Sequence, residues 1–109
     1  LINEIYVDKK IQNYVVDIIL ASRNPQEYKI GEISNFIKYG ASPRATIFLI
    51  SASKSRAFMQ GRGYVIPEDI RYVIHDVLRH RIIPTFEAEA EEINSEYIIE
   101  SILSEIEVP

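Results

Sequence analysis

The chain has no cysteine and no tryptophan, a single methionine at Met59, and two histidines, His75 and His80. Without cysteine there is no disulfide, no thiolate nucleophile and no zinc site built on sulfur, and the composition fits a cytoplasmic protein. Two histidines leave little material for a transition-metal site, and their i, i+5 separation puts them on different helix faces, so no metal ligand set is expected. Long apolar runs are missing too. The longest stretch of large apolar residues is Ile47-Phe48-Leu49-Ile50, far short of the ~20 needed to cross a bilayer, so no membrane contact is expected.

What is present has a globular balance. The 109 residues are 47% hydrophobic and 26% charged, enough for one domain. A chain of this length buries about 60–65% of its unfolded surface, an adequate core for folding alone. The sequence starts at Leu1 with its only methionine at position 59, so it reads as a fragment of a longer chain whose function it shares.

Charge is unevenly spread. All 12 lysines and arginines precede Ile82, where the net charge is +4, whereas residues 82–109 carry eight glutamates and no cation. The net charge of −4 argues against general nucleic-acid binding. A cationic middle beside an acidic tail either binds an anion or pairs internally.

Apolar residues recur at helical spacing four times. The first helix spans Asp8 to Arg23, capped by Asp8, with Ile11, Tyr14, Val15, Ile18 and Ile19 inward, and Asn24-Pro25 stops it. Residues 25–41 read as irregular, with one extended stretch near Phe36–Tyr39. A second helix runs from an N-cap at Ser42 to a left-handed C-cap at Gly61. Its apolar positions cover so wide an arc that it belongs in the middle of a bundle. The third helix, Pro67 to Arg79, has Glu68 and Asp69 in its first turn, where the helix dipole favours acids, and a clear stripe from Ile70 to Leu78. The fourth spans Asn94 to Ile106. The linker 82–93 carries Glu87, Glu89, Glu91 and Glu92, a solvated strip or a partner-docking one. The expected fold is mainly α: a compact four-helix bundle with a short extended segment in a connecting loop.

Within Gly40-Ala41-Ser42-Pro43-Arg44-Ala45, Arg44 stands at the second position of a helix. A cation there costs about 0.3–1 kcal/mol against the dipole. Free N–H groups and a guanidinium at one helix end together make an anion site. Alternatively, Arg44 reaches Glu32 or a tail glutamate. His80-Arg81 follows the third helix, where the dipole favours cations; a contact with another domain or subunit is the functional alternative. His75 reads as a surface residue, and Tyr6, Tyr14 and Tyr28 as rim packing. No carboxylate pair stands out as an acid/base couple.

The segment Gly40–Ala45 resembles the sensor-2 segment of the MoxR-type AAA+ ATPases, in the clade shared with magnesium-chelatase ATPase subunits. The resemblance continues in order through Gly61-Arg62-Gly63, Val65-Ile66-Pro67-Glu68-Asp69-Ile70 and Val77-Leu78-Arg79-His80-Arg81, with Ala21-Ser22-Arg23 upstream and Glu107-Val108-Pro109 at the end. It covers most of the chain, roughly Asp8 to Pro109. It implies the C-terminal helical lid of an AAA+ protein, packed over a nucleotide held by an upstream α/β core of the same chain. Arg44 is then the sensor-2 arginine facing the γ-phosphate, with Gly40, Ala41, Ser42 and Pro43 positioning it. ATP and Mg²⁺ are implied as cofactors bound mainly by that core. The G-x-x-x-x-G-K-[ST] loop such a core needs does not occur in this sequence, so the fragment alone should not hydrolyse ATP. The family also implies a ring homo-oligomer with chaperone-like remodelling or maturation of partners, commonly von Willebrand factor A-domain proteins. Two readings from other classes compete: a helical nucleic-acid-binding module presenting Arg44, Lys54, Arg56 and Arg71, and a non-catalytic adaptor bundle.

Overall fold

The computed structural model describes residues 4–109. Among the described residues five α-helices carry the fold: α1 Lys9–Arg23, α2 Ala45–Met59, α3 Pro67–Leu78, α4 Phe86–Ala90 and α5 Ser95–Glu105. Two 3₁₀ turns, Pro25–Tyr28 and Gly31–Phe36, fill the stretch between α1 and α2. The expected extended segment is present as β1, Ile37–Tyr39, and it has a partner. It pairs antiparallel with β2, Ile83–Pro84, so that Ile37 faces Pro84 and Tyr39 faces Ile83. Among the described residues no helix is long and apolar enough to cross a membrane.

Local chemistry explains the helix ends. The Asp8 carboxylate accepts from the Lys10 N–H at 3.2 Å and starts α1. Asn94 Oδ1 accepts from the Tyr97 N–H at 3.0 Å and starts α5. At the end of α2, Gly61 takes φ +75°, and the N–H groups of Gly61 and Arg62 return to the carbonyls of Phe58 and Ala57. That left-handed closure is open to glycine without steric cost. The linker 82–93 holds more order than its composition suggests. Thr85 Oγ1 accepts from the Ala88 N–H and donates to the Asn35 carbonyl, starting the single turn of α4 and tying it to the 3₁₀ segment.

The core is aliphatic. Val15 and Ile18 of α1, Leu49 of α2, Ile70 and Ile74 of α3 and Ile99 of α5 are fully buried. Burial differs from expectation in α2, where only Ala45, Leu49, Ser53 and Ala57 are buried. This narrow i, i+4 stripe of mostly small side chains packs on α1 and α3. Ile50 packs half-buried against the core, whereas Ile47 is 67% exposed, Phe48 48% and Met59 82%. The helix lies at the edge of the bundle, because a small-residue stripe gives close approach on one side only. Tyr14 is buried with the inward stripe of α1 that its spacing predicts, and not at a rim.

The elbow between α2 and α3 is fixed by a buried charge. Asp69 is fully buried, and its oxygens receive both terminal nitrogens of Arg62 at 2.6 Å and the Ile66 N–H at 2.9 Å. Arg56 lies 3.9 Å from the same carboxylate and stacks on the Tyr72 ring, 3.6 Å from its centroid. Burial alone would push the Asp69 carboxyl up. The Arg62 bonds, the Ile66 N–H and the positive charge of Arg62 and Arg56 outweigh it and hold the group below its ordinary value. The chain preceding α1 joins the same elbow: Tyr6 donates its N–H to the Gly63 carbonyl and accepts from Val65, at 2.8 and 2.9 Å.

Asp69→Ala should therefore destabilise the domain by about 1–3 kcal/mol in urea denaturation, since the Ile66 N–H loses its acceptor and the partly exposed Arg62 its partner. The folded-state value of Asp69 is depressed, so its contribution is complete above the unfolded carboxylate range and is lost as pH falls through the folded value. The denaturation midpoint should drop on acidification below about pH 4, and Asp69→Asn should flatten that dependence.

Candidate functional site

The Gly40–Arg44 segment leads into α2 and lies against the last turn of α1. Glycine is required at position 40 for proximity and not for a left-handed backbone. A Cβ there would sit 2.3 Å from the Ser22 carbonyl oxygen and 2.9 Å from the Arg23 Cα. Ala41 is fully buried, and its N–H donates to Ser22 Oγ at 3.0 Å. The structure thus brings together two motifs that are separated in sequence, Ala21-Ser22-Arg23 and Gly40-Ala41.

The entry to α2 differs from expectation in one respect. Regular α-helix starts at Ala45, one residue past Arg44, after a tighter turn opened by Ser42. Ser42 Oγ accepts from the Arg44 N–H at 3.2 Å, and the N–H groups of Ala45, Thr46 and Ile47 return to the carbonyls of Ser42, Pro43 and Arg44. The first-turn N–H groups are thereby used within the chain. Short i→i+3 bonds satisfy donors that an α-helical start would leave free. The anion-attracting elements that remain are the dipole and the Arg44 guanidinium.

Arg44 is exposed, and among the described residues no carboxylate pairs with it. Neither Glu32 nor a tail glutamate takes it up. One turn further along lie the exposed side chains of Ile47 and Phe48, so a free cation and an uncovered apolar strip share the outer side of α2. Phe48 also carries Arg81, whose guanidinium sits 4.7 Å from the ring centroid. Arg81 Nη1 donates to the Val77 carbonyl at 2.6 Å, closing the end of α3 against α2. His80 is exposed beside it.

The acidic tail is partly consumed by internal pairing. Glu96 accepts from Arg79 Nε at 2.8 Å, and Glu100 lies 2.7 Å from His75 Nε2. His75 is therefore a half-buried contact between α3 and α5, not a free surface residue, because α5 crosses beside it. Glu87, Glu89, Glu91 and Glu92 remain exposed around α4. Of the cations named for nucleic-acid binding, Arg56 is committed to Asp69 and Tyr72.

The sequence pattern assigns Asp69 only to the dipole of a helix start and does not reveal its burial. The signal lay in the Arg62–Asp69 spacing: a cation in the elbow and an acid at the third helical position, where a carboxylate can bond back to the cap.

Comparison with known proteins adds a second line. Residues 32–102 match the AAA lid domain family. The chain is 39% identical over 104 residues to Chaperone MoxR1 of Mycobacterium tuberculosis, an alignment covering 95% of this chain and 28% of that protein. It is 33% identical over 87 residues to Protein MoxR of Paracoccus denitrificans, covering 74% of this chain and 26% of that one. A crystal structure of a candidate ATPase from Cytophaga hutchinsonii superposes with a TM-score of 0.95 at 42% identity, over 99% of this chain and 33% of the other. The chain spans a third or less of the length of each of these relatives.

The geometry at residue 40 predicts a contrast between glycines. Gly40→Ala should destabilise the domain by about 1–3 kcal/mol, since the intruding methyl meets backbone that cannot move aside. Gly31→Ala, where the nearest atom to the new Cβ is 3.6 Å away, should stay within about 0.5 kcal/mol. Thermal denaturation of the two variants checks both.

Proposed function

The chain belongs to the AAA lid domain family, and from that premise we propose that it is the lid of a MoxR-type AAA+ ATPase in which Arg44 is the sensor-2 arginine. One observation supports this most: a guanidinium exposed and unpaired among the described residues, on backbone anchored at Ala41 to a different helix. Such a group is costly where it stands unless an anion meets it, since the helix dipole opposes it. A phosphate oxygen pair fits its fork of donors and the dipole together.

The residues of this chain divide the work. Gly40 and Ala41 fix the backbone against α1, Ser42 and Pro43 set the direction of the turn, and Arg44 presents its N–H groups to the terminal phosphate. The outer flank of α2, with Ile47 and Phe48, packs against the nucleotide-bearing core of the parent chain and excludes water from the donor. His80 and Arg81 stand at the edge of the same flank and meet the core or a neighbouring subunit. ATP with Mg²⁺ supplies the phosphoryl group that is transferred to water, held mainly by residues outside this chain. Closure of the lid on the triphosphate, and release after hydrolysis, couples turnover to rigid-body movement in a ring homo-oligomer. The output is chaperone-like remodelling or maturation of partner proteins, with von Willebrand factor A-domain proteins as the partner class.

Arg44→Ala in the full-length protein should leave the fold intact and lower ATP turnover at least about tenfold, the scale of one lost charge-stabilising donor. Unchanged steady-state hydrolysis would refute the role. The 109-residue chain alone should bind Mg-ATP no tighter than about millimolar, because a single arginine without a phosphate loop contributes little. NMR shift titration reads this directly, and micromolar affinity is incompatible with the proposal.

A further inference from the structure

Both backbone groups of Ala41 are held by consecutive side chains from the end of α1. Ser22 Oγ accepts from the Ala41 N–H at 3.0 Å and donates to the Ile19 carbonyl at 2.7 Å. Its one hydrogen and one of its lone pairs are thereby used, in a site where the residue is buried. Arg23 Nη1 donates to the Ala41 carbonyl at 3.3 Å. Gly40 makes the approach sterically possible.

We propose that Ser22 and Arg23 are positioning residues for Arg44, a latch that fixes the arginine's backbone against α1 independently of α2. The inference rests on the reading of Arg44 as a phosphate-facing residue. Only Ser42 and Pro43 separate the latched residue from Arg44. Proline fixes its own φ, and Ser42 Oγ binds the Arg44 N–H. The Cα of Arg44 is thus set within three residues of a buried hydrogen bond.

The latch holds little core. Ser42, Pro43 and Arg44 are exposed, and the segment buries chiefly the Ala41 methyl. Its bonds therefore fix a solvent-facing turn. A long side chain needs such a base, since a misplacement of about 1 Å at a reacting group can cost about 100-fold in rate.

The test is steady-state ATP hydrolysis by the full-length protein. Ser22→Ala and Arg23→Ala should each lower kcat about three- to tenfold, with KM for ATP changed less than about twofold. Ser22→Thr, which keeps the hydroxyl, should retain most of the turnover. In the double variant, Ser22→Ala should add nothing to the loss caused by Arg44→Ala, because the latch acts through that residue. Should Ser22→Ala fail to fold, Arg23→Ala, which removes an exposed side chain, carries the same comparison. The latch is overturned if the single variants turn over normally, or if they slow the Arg44→Ala enzyme by the same factor as wild type. Wild-type turnover by Arg44→Ala itself overturns the reading of Arg44, and the latch with it.

Discussion

Between residue 40 and the last turn of α1 there is room for a hydrogen atom and nothing larger, since a Cβ would lie 2.3 Å from the Ser22 carbonyl oxygen. That approach lets a buried serine reach the Ala41 N–H and brings the start of α2 against the end of α1. Everything downstream inherits the placement: the direction of the Ser42–Pro43 turn, the position of Arg44, and the side of α2 that faces the core. A contact of backbone on backbone is harder to deform than one between flexible side chains, so it serves as a fixed reference for the rest of the bundle.

The other end of α2 is held by different chemistry. Gly61 closes the helix in the left-handed region, and the Arg62–Asp69 pair ties the elbow to the first turn of α3. A helix fixed at both ends needs only a narrow buried stripe between them, and α2 has one, from Ala45 to Ala57. Its outer flank can then keep Ile47 and Met59 exposed, with Phe48 half-covered by Arg81. The family membership and a guanidinium unpaired among the described residues beside that flank support the proposed reading, in which the exposed side meets another part of a larger ATPase.

Much of this was legible in the sequence. Helix positions follow from the 3.6-residue period, and Asp8 and Asn94 start their helices with side-chain caps while Gly61 closes α2 for want of one. The family was legible from ordered motifs. The short elements were not. β2 has two residues and α4 a single turn, too few for any period to register, and Thr85 fixes them through a carbonyl 50 positions away. At the candidate site Arg44 stands out by its charge at a helix entrance and by the motif around it, whereas the use of the first-turn N–H groups by the Ser42 turn depends on local backbone geometry that composition does not encode.

The sequence by itself determined where helices start and stop and which residue sits awkwardly at a helix entrance, because those are matters of neighbouring dihedrals and hydrogen bonds. Tertiary structure decided which apolar face of α2 is buried, that Asp69 is enclosed by Arg62, that tail glutamates pair with the α3 region, and that among the described residues Arg44 has no carboxylate partner. Each of those outcomes depends on distances between residues far apart along the chain. Burial and ion pairing fall off within a few ångströms, so only the packed arrangement of helices fixes them.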